Sequence, residues 1–410
     1  MAPDVTSLIE SIASDIAALC AGPDRQPGTA QNRAATDYAI GVLRATGAVV
    51  TVLPFEVPEW IAGSATLDVA GLTYPLHPGP YSAAVAHTTN LVTAATVEDL
   101  GLLREEARDA VILLHGDIAR EQLTPRAYPW YSNPAHAAIY VTLESLAPAA
   151  IIAATGKNPA MTAAREPFPL IEDPAFPIPT AYCALAEGDA LLSHAGDVVR
   201  VEIDSSVRPS SGVQPVARIG RGTSGRRIIV AGHLDSTWGS PGALDNAAGA
   251  VTAISVARLL AADPPSASVE IVPFNGEDHA TSPGEVAYLD ANPDGFGDVA
   301  LMINVDGSGF RGSPAALSSY GVSAQIDAVI DAVLADFPDI DRGPEWFASD
   351  HAIFAMRGVP SLAITSRDFG DLWESIAHTT HDVADNLDYE LIAQVAFAIE
   401  KIIRQVDALD

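Results

Sequence analysis

One stretch near the middle of the chain leaves little freedom for the fold around it. Residues 227–260 read RIIVAGHLDSTWGSPGALDNAAGAVTAISVARLL. A short β-branched run, 227–232, predicts a buried strand, entered from a Gly/Arg-rich turn. The strand ends on His233-Leu-Asp235, a Gly/Pro/Ser-rich loop follows, and Asp245-Asn246 opens an apolar helix expected over 246–262. Open α/β sheets bind ligands at such strand ends. Taken alone, the pair fits a surface histidine and a helix-capping aspartate equally well.

The surrounding chain sets the fold class. From residue 212 onward, strands are expected at 216–219, 228–231, 269–274, 300–306 and 361–365, and helices at 322–335, 350–356 and 389–406. That alternation predicts an α/β fold with a mixed, largely parallel central sheet flanked by helices. Two more helices are expected at 5–22 and 32–46, then a strand at 48–57. Between 58 and 208 the prolines crowd together and the apolar runs shorten, which reads as an inserted β-rich domain. The expected organisation is therefore 1–57 and 209–410 as one domain in two segments, with 58–208 inserted.

Composition narrows the partners. The formal charge is -30 and the only lysines are Lys157 and Lys401. Such a surface repels phosphate backbones and anionic lipid heads, so neither nucleic acid nor membrane is an expected partner. The acidic amphipathic start reads as a helix and not as a signal peptide, and no apolar run is expected to span a bilayer. Cys20 and Cys183 are too few for a disulfide framework and read as buried thiols of a cytoplasmic protein. A homo-oligomer is left open.

Polar groups then recur at other strand ends. They are Glu277-Asp278-His279, Asp306, and His378-Thr-Thr-His381-Asp382 before the last helix. Each alone is weak, because acids commonly cap helices. Together they place imidazoles and several carboxylates where a sheet could gather them. Burying that much negative charge uncompensated is very costly. With so few lysines, a divalent cation is the expected compensation. Imidazole and carboxylate without thiolate suits zinc, with manganese or cobalt as substitutes. Adjacent Glu277 and Asp278 diverge, so one can bind an ion while the other moves protons, the layout of metal-assisted hydrolysis.

These segments, VAGHLDS, GALDNAAGAV, FNGEDH, NVDGSG, SDHAIFAMRGVPSLAIT and HTTHDVADNLD, resemble the clan MH co-catalytic zinc peptidases. That group includes the bacterial leucine-type aminopeptidases, aminopeptidase Y and glutamate carboxypeptidase. The loop PGTAQNR at 27–33 is similar to the family's opening, and 58–208 resembles, loosely, its protease-associated insert. The resemblance implies a di-zinc exopeptidase, most simply an aminopeptidase acting on a small peptide or amide. It implies that His233, Asp245 and Asp306 hold one ion, and that Asp245, Asp278 and His378 hold the other, with Asp245 bridging. Glu277 would be the general base, Asp235 would steady His233 or Asp245, and the Asp245–Asn246 peptide would be cis.

Three departures bear on this. The family's usual acidic pair is Glu-Glu and here it is Glu277-Asp278. The segment from His279 to Glu285 reads HATSPGE where the family often has Gly-Leu and then Gly-Ser, which points toward a specialised amidohydrolase of a non-peptide amide or N-acyl amino acid as the alternative. Ala377 stands where many members have an oxyanion-stabilising tyrosine, leaving His279, His351 or a backbone N–H for that task. His381 is a rival to His378 as ligand. Asp350 is expected to cap a helix or brace the site. Trp238, Trp346, Phe347 and Trp373 are placed in loops near the rim, as substrate contacts or as ordinary packing. The reading from a different class is a non-catalytic binding protein that keeps the fold.

Overall fold

A computed structural model describes residues 4–158 and 164–409. Its contacts divide the chain into two compact units, 1–57 with 211–410, and 58–210.

The first unit is a mixed α/β layer structure. Its sheet runs in the order 217–219, Ser268–Val272, Arg227–Ala231, Val299–Val305, Ser361–Ser366, Ala315–Tyr320, Ile340–Arg342. The central four strands are parallel, while 217–219 and Ala315–Tyr320 pair antiparallel with their neighbours. The central strand Arg227–Ala231, buried on both faces, is apolar beyond its first residue: Ile228, Ile229 and Val230 are all 1% exposed or less.

Helices cover both faces. Val5–Leu19, Ala30–Ala45, Ala248–Ala261 and Tyr389–Asp407 pack together on one side. The last of these buries Leu391, Ile392, Val395, Ile399, Ile402, Ile403 and Val406, which recur at helical spacing, and Asp388 caps it. On the other side His351–Ala355 packs on the strands, Phe274 meets Tyr288 and Phe296 meets Phe354 edge to face, and Tyr288 stacks on Phe296.

Several expectations need correction. The helix expected from 246 begins at Ala248, because Asp245 and Asn246 have non-helical backbone angles. The first helix ends at Leu19, short of 22. Strands Ala315–Tyr320 and Ile340–Arg342 and helix Pro283–Asp290 have no counterpart in the sequence reading. Ala243–Ala261 is long and apolar enough to cross a membrane, contrary to expectation, yet nearly all of it is buried in the core. Cys183 is buried as expected, but Cys20 is only half-buried.

Within the second unit the strands pair in the order 65–69, Leu72–Pro78, Thr180–Ala184, Ala150–Thr155, Val111–Leu114, Val85–Ala94, then 198–203. It also holds a helix absent from the sequence reading, Pro134–Leu146, whose Tyr140 and Leu143 are fully buried.

Candidate metal centre

The parallel strands of the first unit deliver their polar residues from one end. Strand Arg227–Ala231 runs through Gly232 to His233, which is fully buried. A Cβ on Gly232 would lie 2.5 Å from the Gly249 carbonyl carbon and 2.8 Å from the Val305 oxygen. Glycine there lets strand end, helix start and neighbouring strand converge. Asn246 holds the same junction, donating to Val305 O at 2.8 Å and accepting from Gly249 N at 2.9 Å. The Asp245–Asn246 peptide is cis.

The Asp245 carboxylate lies between two imidazoles. One oxygen is 3.0 Å from His233 Nε2, the other 2.9 Å from His378 Nε2. His378 Nε2 is also 3.1 Å from Asp278 Oδ1, and His233 Nε2 is 3.7 Å from Asp306 Oδ1 and 3.9 Å from Glu277 Oε2. His378 has a backbone φ of 60°, a left-handed conformation that non-glycine residues adopt rarely and often at functional sites.

Behind this row, Asp235 fixes the acidic pair. Its carboxylate accepts from the backbone N–H groups of Gly276, Glu277 and Asp278 at 2.8, 3.1 and 3.1 Å. It also lies 3.6 Å from His233 Nδ1.

The electrostatics call for a cation. Among the described residues, no lysine or arginine pairs with Asp235, Asp245, Glu277, Asp278 or Asp306; their ionic partners are His233 and His378. Asp278 Oδ2 and Asp306 Oδ1 are buried without a hydrogen-bond donor. Burial raises the Glu277 carboxyl well above the usual range, and Asp278, Asp306 and Asp350 add to this against His233. Burial works against charge on His233 and His378 too, yet the facing carboxylates outweigh it and hold both well above the ordinary imidazole value.

Two sets of donor atoms lie within 4.8 Å of one another, His233/Asp245/Asp306 and Asp245/Asp278/His378, sharing Asp245. A third set, His233/Asp235/Asp278, meets the same distance. In it, the Asp235 carboxylate is already occupied by three backbone donors. Imidazole and carboxylate donors, with orphaned carboxylate oxygens among them, fit zinc.

The remaining residues of interest fall elsewhere. His381 is exposed and outside these groups. His279 is buried, its Nδ1 accepting from Thr281 N at 3.1 Å, and burial lowers it to about 4. His351 is buried with Nε2 donating to the Trp346 carbonyl at 2.7 Å. Trp373 is not in a loop but on the short helix Phe369–Ser375, with its ring 5.3 Å from that of His378. Trp238 is half-buried. Asp350 stands at the start of helix His351–Ala355, but its side chain caps nothing; both oxygens are buried without a donor. Arg25, 1% exposed and bonded to the loop before Asp245, has no place in the sequence reading; Asp382, named there only within its motif, is fully buried against the Asp245 backbone. Asp382 sits one turn-length beyond His378 in HTTHD, a usable signal; nothing local marks Arg25.

Residues 216–403 match the family model for peptidase family M28. No curated protein matches the chain. An aminopeptidase from Aneurinibacillus sp. strain AM-1 has a similar structure, with TM-score 0.71 at 18% identity over 97% of this chain and 93% of that one. A zinc aminopeptidase from Bacillus subtilis gives 0.71 at 16% identity over 96% and 94%. A peptidase M28 precursor from Shewanella amazonensis gives 0.69 at 18% over 99% and 96%. At these identities the likeness establishes the fold: a large mixed sheet flanked by helices, of the zinc aminopeptidase type.

Proposed function

We propose, from the match of residues 216–403 to the model of peptidase family M28, that the chain is a di-zinc exopeptidase, an aminopeptidase hydrolysing peptides with a free α-amine. The observation that carries this is the Asp245 carboxylate, with one oxygen at 3.0 Å from His233 and the other at 2.9 Å from His378. That is the placement a bridging ligand needs.

His233, Asp245 and Asp306 would hold one ion, and Asp245, Asp278 and His378 the other. The bound ions would supply Lewis acidity toward the scissile carbonyl and the attacking water. Glu277 is the group free to handle protons. Its side chain keeps 19% of its surface exposed, unlike the 1–2% of Asp245 and Asp306. Its raised proton affinity suits taking a proton from water near neutral pH and passing it to the leaving amine. Asp235 orients Glu277 and Asp278 together through their backbone N–H groups. Asp278 is a methylene shorter than the glutamate usual in the resembling family, and the 3.1 Å approach of His378 Nε2 to Oδ1 keeps it within the ligand group.

The test pairs metal analysis with Glu277→Gln. Purified wild type is expected to carry zinc for both positions and to hydrolyse aminoacyl-anilides. The variant is expected to keep its zinc and lose about 10²–10⁴-fold in kcat. Protein without transition metal, and without amide hydrolysis that Glu277→Gln removes, would end the reading. Equal turnover of N-blocked amides would replace aminopeptidase with a broader amidohydrolase.

A further inference from the structure

Three segments far apart in the chain meet here: the polar loop between the two N-terminal helices, the loop from His233 to Asp245, and the loop that carries His378. The first is the polar loop between the two N-terminal helices. Its Arg25 is 1% exposed, and Nε donates to Leu234 O at 2.7 Å. Nη2 donates to Gly242 O at 2.9 Å and to Asp235 O at 3.3 Å, and Nη1 donates to Pro241 O. Arg25 N donates to Ser236 Oγ at 3.0 Å, and Gln26 Nε2 to Ser236 O at 2.8 Å. One guanidinium therefore holds carbonyls from both ends of the loop running from His233 to Asp245.

The third segment is the loop that carries His378. Its Asp382 is fully buried, and its two carboxylate oxygens accept from Leu244 N at 2.6 Å and Asp245 N at 3.0 Å. The Asp382 carbonyl accepts from Ala243 N at 3.3 Å. Arg25 thus grips the loop by its carbonyls and Asp382 by its N–H groups.

We propose that Arg25 and Asp382 are positioning residues, a clamp that fixes Asp245 between the two cation positions before any cation arrives. The proposal rests on the reading of Asp245 as a bridging zinc ligand. The physical ground is conformational entropy. Ordering one residue's backbone costs roughly 1–2 kcal/mol. A loop left free would meet that cost from the binding energy of the ion, whereas a loop already held leaves it as affinity. Arginine suits the task because its planar fork offers five donors and stays charged. Among the described residues Arg25 forms no ion pair, and the oxygen acceptors of its guanidinium are all backbone carbonyls of this one loop. Asp382 ties the same backbone to the segment bearing His378, so a displacement of one ligand is transmitted to the other.

The experiment uses the full chain with Arg25→Lys, Arg25→Ala and Asp382→Asn. Asparagine keeps the shape of Asp382 but turns an NH₂ toward one of the two N–H groups, so one hydrogen bond becomes a donor–donor contact. Zinc affinity is measured by chelator competition, and Tm with and without zinc. Each variant is expected to bind zinc about 10–100-fold more weakly, the range seen for groups that orient ligands, and to narrow the Tm gap between zinc-loaded and metal-free protein. A role in fold stability alone would lower both Tm values equally and leave affinity within twofold of wild type; that result overturns the proposal. Should Arg25→Ala not fold, Arg25→Lys and Asp382→Asn decide it. Wild type that takes up no zinc would overturn the underlying reading, and the clamp with it.

Discussion

The two units treat a buried acid in opposite ways. In unit 58–210, Asp173 is 2% exposed, and its carboxylate receives Arg126 Nε at 2.8 Å and Arg126 N at 3.2 Å. Glu144 takes the other arm of the same guanidinium at 2.7 Å. In unit 1–57 with 211–410, Asp245 and Asp306 are buried beside Asp278, and among the described residues the ionic partners of all three are imidazoles. The contrast recurs within one strand and its loop. Glu270, buried mid-strand, is met by Arg218 at 2.8 Å and Arg227 at 3.3 Å, with Tyr288 donating at 2.5 Å. Glu277, just beyond the strand, has none of these. A buried acid supplied with its own cation is part of the scaffold. Several buried acids without one, gathered within ligand distance of two imidazoles, fit a cation that comes from outside.

The largest effect that could break this contrast is at the shared ligand. Asp245→Ala is expected to abolish zinc uptake at both positions and to take hydrolysis to background, read by metal analysis and an anilide assay. Loss at one position only would mean that Asp245 does not bridge. The matching change in the other unit should do the reverse. Arg126→Ala leaves the Asp173 carboxylate buried without its charged donor, and should lower stability by about 1.5–3 kcal/mol in denaturant titrations. Zinc content and kcat should stay at wild-type values. A tenfold fall in kcat there would mean that the acids of the second unit are not only scaffold.

The same contrast explains what could be read from the sequence. The parallel strands and their flanking helices were legible because the apolar runs are long and periodic, and the acids at their ends stood out against the apolar residues. Strand Ile340–Arg342 is three residues long and polar, and Ala315–Tyr320 reads AALSSY, so neither has a period to detect. Helix Pro134–Leu146 was hidden by its histidine, tyrosine and threonine content within a proline-rich region. At the site, residues within short motifs were visible. Arg25 was not, because its partners, Leu234, Asp235, Pro241 and Gly242, are more than two hundred positions away, and backbone carbonyls leave no mark in a sequence. Asp350 was expected as a cap or a brace, and the side chain makes no cap.

The smallest effect concerns an acid between the two classes. Glu285, in the first turn of helix Pro283–Asp290, is 1% exposed, and its Oε2 has no donor. Burial, with Asp235 and Asp278 adding, raises it to about 8. It belongs to neither donor set, so neither an arginine nor a shared ion offsets its charge. An acid whose pKa is higher in the folded state binds more protons folded than unfolded. Stability therefore falls as pH rises from the unfolded carboxyl value, about 4.3, through the folded value. Glu285→Gln has no proton to lose across that window. In metal-free protein it should raise Tm by a few degrees at pH 8, and by less as the pH is lowered toward 5. A gain that is equal at both pH values, or larger at the lower one, would place Glu285 with the paired acids of the scaffold, where a local donor would have to be found for it.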